Sequence, residues 1–206
     1  MKVDLKKQIP SYTARRGTFS IVEVPSLQYL MVDGQGDPNT SQAYADAVGS
    51  LYPLAYTLKF LSKRELDRDY VVPPLEALWW AEDMAAFTTA RDKSRWSWTV
   101  MIAVPDWLGA EQVEAAREAV RSKGGAPALE HVRFEALDEG LSVQTLHIGP
   151  YDDEAPVLAA MHTEFIPSQG LRMTGRHHEI YLSDPRRMPA ERLRTILRQP
   201  VERDSA

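Results

Sequence analysis

The chain contains no cysteine. That excludes disulfides, thiolate catalysis and cysteine-ligated zinc or iron–sulfur sites, and it fits a reducing compartment. Excess charge is also scarce: 24 Lys and Arg stand against 29 Asp and Glu, a formal net charge of −5. The richest basic stretch, residues 186–198, is broken by Pro189, Glu191 and apolar residues, so it cannot track a phosphate backbone. Nucleic acid is therefore not expected as a partner. No apolar run approaches the ~20 residues of a membrane span. The start, Met1 to Lys7, lacks the apolar core of a signal peptide. These absences point to a cytoplasmic protein without a membrane partner. A glycine-rich phosphate loop, a dinucleotide fingerprint and a nucleophile-elbow serine are missing too, so no cofactor is expected.

What is present suits a folded domain. The 206 residues are 44% hydrophobic and 26% charged, ordinary values for a soluble protein. That length supports one large domain or two small ones sharing a core. Monomer and homodimer are equally compatible with it.

The most informative stretch is Arg176-His177-His178-Glu179-Ile180-Tyr181-Leu182-Ser183-Asp184-Pro185, bounded by Gly175 and by an Asp-Pro turn signal. Its residues alternate. In a strand, His177, Glu179 and Tyr181 share one face at about 7 Å intervals, from a rise of ~3.3 Å per residue. A carboxylate on an inner strand needs a partner, a wet cavity or a ligand. Glu179 is the first candidate for function, and pairing with Arg172 or Arg176 is its structural alternative.

Taken in order, residues 1–16 read as a loose polar arm. Thr18 to Val24 and Leu27 to Val32 read as short strands, and Asn39 or Thr40 as the cap of the next helix. Ala47, Val48, Leu51, Leu54, Ala55, Leu58 and Leu61 recur at helical spacing over 41–62, with Pro53 expected to kink or divide that helix. Leu75 to Trp80 reads as a strand, 82–95 as a loop with a helical turn, and Trp96 to Val104 as a strand. A helix follows, stopped by Gly124-Gly125. The second half repeats the plan: strands at 132–136 and 141–148, a helix opened by Gly149-Pro150-Tyr151, the Glu179 strand, and a last strand at Thr195 to Leu197. The expected class is α+β, two pseudo-symmetric strand–helix–strand–strand modules in one domain spanning 1–206. The modules are placed at 18–104 and 131–201, with a connecting helix within 105–130 and a ligand cleft between them.

Pro73-Pro74-Leu75-Glu76-Ala77-Leu78-Trp79-Trp80, His147-Ile148-Gly149-Pro150-Tyr151, His178 to Pro185 and Leu193 to Val201 together resemble the stand-alone GyrI-like small-molecule-binding proteins. The resemblance spans roughly residues 15–201. It implies the fold shared with the effector domains of multidrug-sensing regulators, in which a buried acid and aromatic side chains receive bulky, often cationic, aromatic ligands. Some free-standing members are similar to hydrolases that open the cyclopropane ring of DNA-alkylating natural products of the yatakemycin type. By position, Glu179 matches the family's central acid, and Trp79, Trp80, Tyr151 and Tyr181 match its aromatic pocket. Ala77 departs from an expected glycine and adds a methyl beside the tryptophans.

Each candidate has a structural counterpart. Glu76 reads as a ligand contact or an arginine partner. Trp79 and Trp80 fall on opposite strand faces; parity joins Trp80 to Glu76 and favours Trp80 for the pocket. Tyr151 serves a ligand or ties down its turn, and His147 precedes that turn. His147, His177 and His178 lack the spacing of a metal site, so no metal is expected. His162 reads as a core-edge histidine. The leading reading is binding of an aromatic small molecule and hydrolysis of a cyclopropanoid, with Glu179 activating water and Tyr181 or Tyr151 stabilising the phenolate that forms. The rival is a multidrug-binding module that sequesters its ligand unchanged.

Overall fold

The computed structural model describes residues 2–81 and 93–204. The strands, in chain order, are β1 (Ser20–Val24), β2 (Leu27–Gln35), β3 (Leu75–Trp80), β4 (Ser97–Val104), β5 (Arg133–Leu137), β6 (Gly140–Ile148), β7 (Leu171–Met173), β8 (His177–Tyr181) and β9 (Arg194–Arg203). The helices are α1 (Leu5–Gln8), α2 (Gln42–Glu65), α3 (Ala110–Arg121), α4 (Ala155–Ala159) and α5 (Ile166–Ser168), the last two joined by a π-helical segment at Ala160–Phe165. Of the loop expected at 82–95, residues 82–92 lie outside the described residues, and Lys93–Arg95 form one 3₁₀ turn. The mixed α+β class expected from the sequence is the class observed.

Two compact units partition the chain: Met1–Gln8, Leu27–Pro73 and Trp80–Leu137 in one, and Ile9–Ser26, Pro74–Trp79 and Asp138–Ala206 in the other. They are not consecutive stretches. β1 leaves the first half of the chain to pair with β6, and β5 leaves the second half to pair with β2. Strand pairing therefore joins elements that are far apart in chain order.

In the first unit, β2 lies between β4 and β5, antiparallel to both. Helices α2 and α3 pack together, and α2 also packs on β2 and β4. Leu30, Leu51, Leu54, Leu58, Val100, Ile102 and Ala116 are completely buried there. The helix cap is Ser41, not Asn39 or Thr40; its Oγ accepts from the Tyr44 amide at 3.3 Å. Helix α2 runs unbroken through Pro53, whose missing hydrogen bond costs roughly 3 kcal/mol. Burial of the Leu51, Leu54 and Leu58 side chains, worth roughly 1.5–3 kcal/mol each, exceeds that cost. Trp98 lies over Gly34, where a Cβ would run into the indole.

In the second unit the order is β1-β6-β9-β8-β3, all antiparallel, with β7 added beside the far end of β9. β9 runs well beyond the expected Thr195–Leu197, through Pro200. Pro200 sits where β9 changes partner from β8, which ends at Arg198, to β7, which begins at Val201. Its missing N–H falls in that gap, while its carbonyl accepts from the Thr174 amide at 2.9 Å. The polar N-terminal arm is held down, with Ser11 and Tyr12 buried. Among the described residues, no helix is long and apolar enough to cross a membrane.

Candidate functional site

Register decides which side chains meet. β8 is flanked by β3 and β9, with Ala77 opposite Glu179, Trp79 opposite His177, Leu197 opposite Glu179 and Thr195 opposite Tyr181. Partners in an antiparallel pair share a face. One face of the second unit's sheet therefore carries His177, Glu179, Tyr181, Ala77, Trp79, Thr195 and, through its pairing with Thr195, His147. The helical stretch after Tyr151 covers this face: Met161 and Ile166 pack with Val143 and Val201 in a buried cluster.

A directed chain of hydrogen bonds crosses the face. The Trp79 indole N–H donates to the Tyr181 hydroxyl at 3.0 Å, and that hydroxyl donates to Glu179 Oε2 at 2.8 Å. Glu179 Oε1 faces His177 Nε2 at 3.4 Å, and the Glu179 side chain is 12% exposed. The Tyr151 ring stands edge-on to Tyr181, centroids 5.6 Å apart at 73°. Burial, then the negative charges of Glu154, Glu179 and Asp184, push the Tyr151 phenol up to about 12. It therefore stays protonated and able to donate across the neutral range.

Tyr151 is placed by the turn before it. Gly149 has φ +144°, a conformation that favours glycine, and a Cβ there would sit 3.3 Å from His147 Nε2. That nitrogen lies 3.0 Å from the Pro150 carbonyl, which can only accept, so His147 carries its proton on Nε2. His147 thus fixes the turn that aims Tyr151. His147, expected as a ligand contact, makes this bond through Nε2.

The opposite face belongs to structure. Glu76 and His178 are completely buried, and His178 donates from Nε2 to Glu76 Oε2 at 2.9 Å and from Nδ1 to both oxygens of Glu139 at 3.0 Å. Carboxylates accept only, so both ring nitrogens carry protons and His178 is an imidazolium. Burial alone would lower its pKa, but Glu139 and Glu76 outweigh burial and raise it. Glu139 shows the converse: burial pushes it up, and His178 and Arg198 pull it further down, to about 2. Arg198 donates to Glu139 at 2.8 Å and to the Ser11 carbonyl at 2.7 Å, and the Tyr12 hydroxyl donates to Glu76 at 2.5 Å. Two carboxylates and two cations thus neutralise one another beneath the N-terminal arm.

The structure therefore brings together Glu179, Tyr181, Trp79 and Tyr151 and leaves out Glu76. Parity along β3 joins Trp80 to Glu76, as expected, but that face is turned away from Glu179; Trp79 is the tryptophan on the Glu179 side. Register, not parity alone, aligns β3 with β8, so Glu76 and Trp80, both expected as ligand contacts, lie on the other face of the sheet. Two residues near Glu179 were given no role in the sequence reading. His177 touches it directly, and His162, set aside as a core-edge residue, packs its ring against His177 with centroids 6.0 Å apart. The alternation of β8 already placed His177 beside Glu179; for His162 no signal existed, since a π-helical turn leaves none. Among the described residues, no group of three or more His, Asp or Glu is placed to hold a metal ion. A separate cavity of about 380 Å³ in the first unit, lined by Pro53, Tyr56, Phe60, Val120 and Lys123 among others, contains none of these candidates.

A family profile of GyrI-like small-molecule-binding domains matches residues 17–202. An uncharacterized conserved protein from Listeria innocua superposes with a TM-score of 0.89 at 40% identity, over 98% of this chain and 100% of its own. A hydrolase from Listeria innocua superposes with a TM-score of 0.84 at 39% identity, over the same shares of the two chains. The C-terminal domain of EcmrR shares the fold at 13% identity and a TM-score of 0.56, over 90% of this chain and 98% of its own. No curated protein matches the chain.

Proposed function

We propose that this chain, which belongs to the family of GyrI-like small-molecule-binding domains, binds bulky aromatic compounds against Trp79, Tyr151 and Tyr181 and hydrolyses strained cyclopropanoids with Glu179 as the base. The observation that carries this reading is the hydrogen-bond chain from Trp79 through Tyr181 to Glu179 Oε2. It orients the carboxylate through Oε2 and leaves Oε1, 3.4 Å from His177 Nε2, as the oxygen to accept a proton. The structures described as hydrolases at 39% identity support the reaction class.

A cyclopropane fused to a dienone asks little covalent chemistry of a protein. The water oxygen attacks the less hindered ring carbon, the carbon–carbon bond breaks, and its electron pair turns the dienone carbonyl into a phenolate. Glu179 Oε1 accepts the proton that the water loses, a contribution of ~10²–10⁴ in rate. The proton of Tyr181 is directed to Glu179, so Tyr181 serves the base. Tyr151, still protonated in this range, is left to donate to the phenolate. Aromatic walls hold the flat substrate with roughly 0.5–1.5 kcal/mol per stacking contact beyond area burial.

A second reading has its own observation. Glu154, Glu179 and Asp184 all act on Tyr151 through their negative charge, a setting that favours cations. On that reading the site retains cationic aromatic drugs unchanged, with the rings as cation–π surfaces. Mass spectrometry after incubation with a cyclopropanoid separates the two. A product heavier by one water, formed over many turnovers, is the expected result; ligand recovered bound and unaltered would leave only sequestration.

A further inference from the structure

A carboxylate that takes a proton from water must lose it before the next turnover. Glu179 has one nearby acceptor on its own strand: His177 Nε2, 3.4 Å from Oε1, on a side chain only 4% exposed. Behind His177 stands His162, ring centroids 6.0 Å apart at 77°. His162 projects from the π-helical segment, where the Ile166 amide bonds to the Met161 carbonyl five residues back. Such wide turns recur at functional sites, because they displace one side chain from helical register. The His162 Nε2 atom is buried and has no hydrogen-bond partner.

We propose that His177 is a positioning residue that shares one proton with Glu179, and that His162 holds the His177 ring in place for the exchange. This rests on the reading of Glu179 as the base. When water attacks, its oxygen forms the new bond to carbon and its proton passes to Glu179 Oε1, then to His177 Nε2. The electron pair of the broken carbon–carbon bond ends on the carbonyl oxygen, which takes a proton from Tyr151. Solvent reprotonates Tyr151 and receives the proton held by the pair, so the addition of one water balances. Burial, followed by the neighbouring His177, holds His162 down to about 4. His162 is therefore neutral across the neutral range. Tyr181 on the same strand donates to Glu179, and Tyr151, whose ring meets Tyr181, feels the charges of Glu154, Glu179 and Asp184.

The test has two arms on the full-length protein. In the first, NMR follows the Glu179 carboxyl carbon and the His177 Nε2 nitrogen against pH. A shared proton requires both signals to move together in one step, since coupled sites titrate as a pair. Independent movement overturns the proposal, whatever the substrate. In the second, His177→Gln is expected to lower kcat for cyclopropanoid opening by ~10-fold or more while planar-ligand affinity stays within about twofold, with added imidazole restoring part of the rate to His177→Ala. A His177→Gln rate within about twofold of the parent also overturns it. Joint titration in a parent protein that opens no cyclopropanoid supports the shared proton and instead removes the hydrolytic reading.

Discussion

Two adjacent indoles separate the faces of the sheet. Trp79 gives its N–H to Tyr181 on the Glu179 side, while Trp80, by alternation, lies on the side of Glu76. Trp79→Ala should therefore weaken binding of a planar aromatic ligand by ~10-fold, about 1.4 kcal/mol, and Trp80→Ala by less than ~3-fold. Fluorescence titration of the two variants checks this, and equal losses would contradict the face assignment. The limits of sequence reading are visible in the same residues. Alternation within β8 was legible, and it put His177, Glu179 and Tyr181 together. The offset between β3 and β8 was not, because pairing residues a hundred positions apart leaves no local pattern. A shift of one residue would exchange Ala77 for Glu76 beside Glu179, and parity along β3 alone, which joined Trp80 to Glu76, could not choose between the two. His178, adjacent to Glu179, has an opposite fate for the same reason: one step along a strand takes it into the buried ion cluster.

Among the elements, the N-terminal arm and β9 were the least legible. The arm is polar in sequence, yet its backbone carbonyls and the Tyr12 hydroxyl satisfy buried charges on β3 and β9. Tyr12→Phe should cost ~1–3 kcal/mol of stability, by removing the hydroxyl that donates to a buried Glu76 oxygen, without altering ligand affinity. Urea unfolding and a binding titration on the same variant test it; lowered affinity at unchanged stability would contradict the separation of faces. The ion cluster also sets a pH window. The folded pKa of Glu139 is depressed, despite burial, from 4.5 to about 2, so its contribution is present above about 4.5 and is lost as pH falls toward 2. The folded pKa of His178 is raised above 6.5, against the opposing effect of burial, so its contribution is complete below 6.5 and is lost as pH rises through the folded value. Stability of the parent should therefore decline on both sides, and His178→Gln should remove the alkaline decline at a cost of ~3–5 kcal/mol for the broken pair. An alkaline decline of equal size in His178→Gln would show that another group is responsible. β9 was read only over Thr195 to Leu197; its continuation through Pro200 is tolerated because pairing with β7 and β8 leaves a gap at that position.

For the molecule as a whole, the α+β class and the family membership were legible from motifs in their order along the chain. The exchange of β1 and β5 between the two compact units was not, since it depends on which edge strand finds which sheet. Each unit has its own buried core, and the candidate site lies within the second. The central claim is that Glu179 works there as a base, and one variant tests it most directly. Glu179→Gln keeps the size of the side chain and its hydrogen bond to Tyr181 but removes proton acceptance. With a neutral cyclopropanoid, binding should survive within about tenfold while turnover falls by ~10² or more. Full turnover in Glu179→Gln, with loss of affinity confined to cationic aromatic ligands, would contradict the claim and leave a binding site in its place.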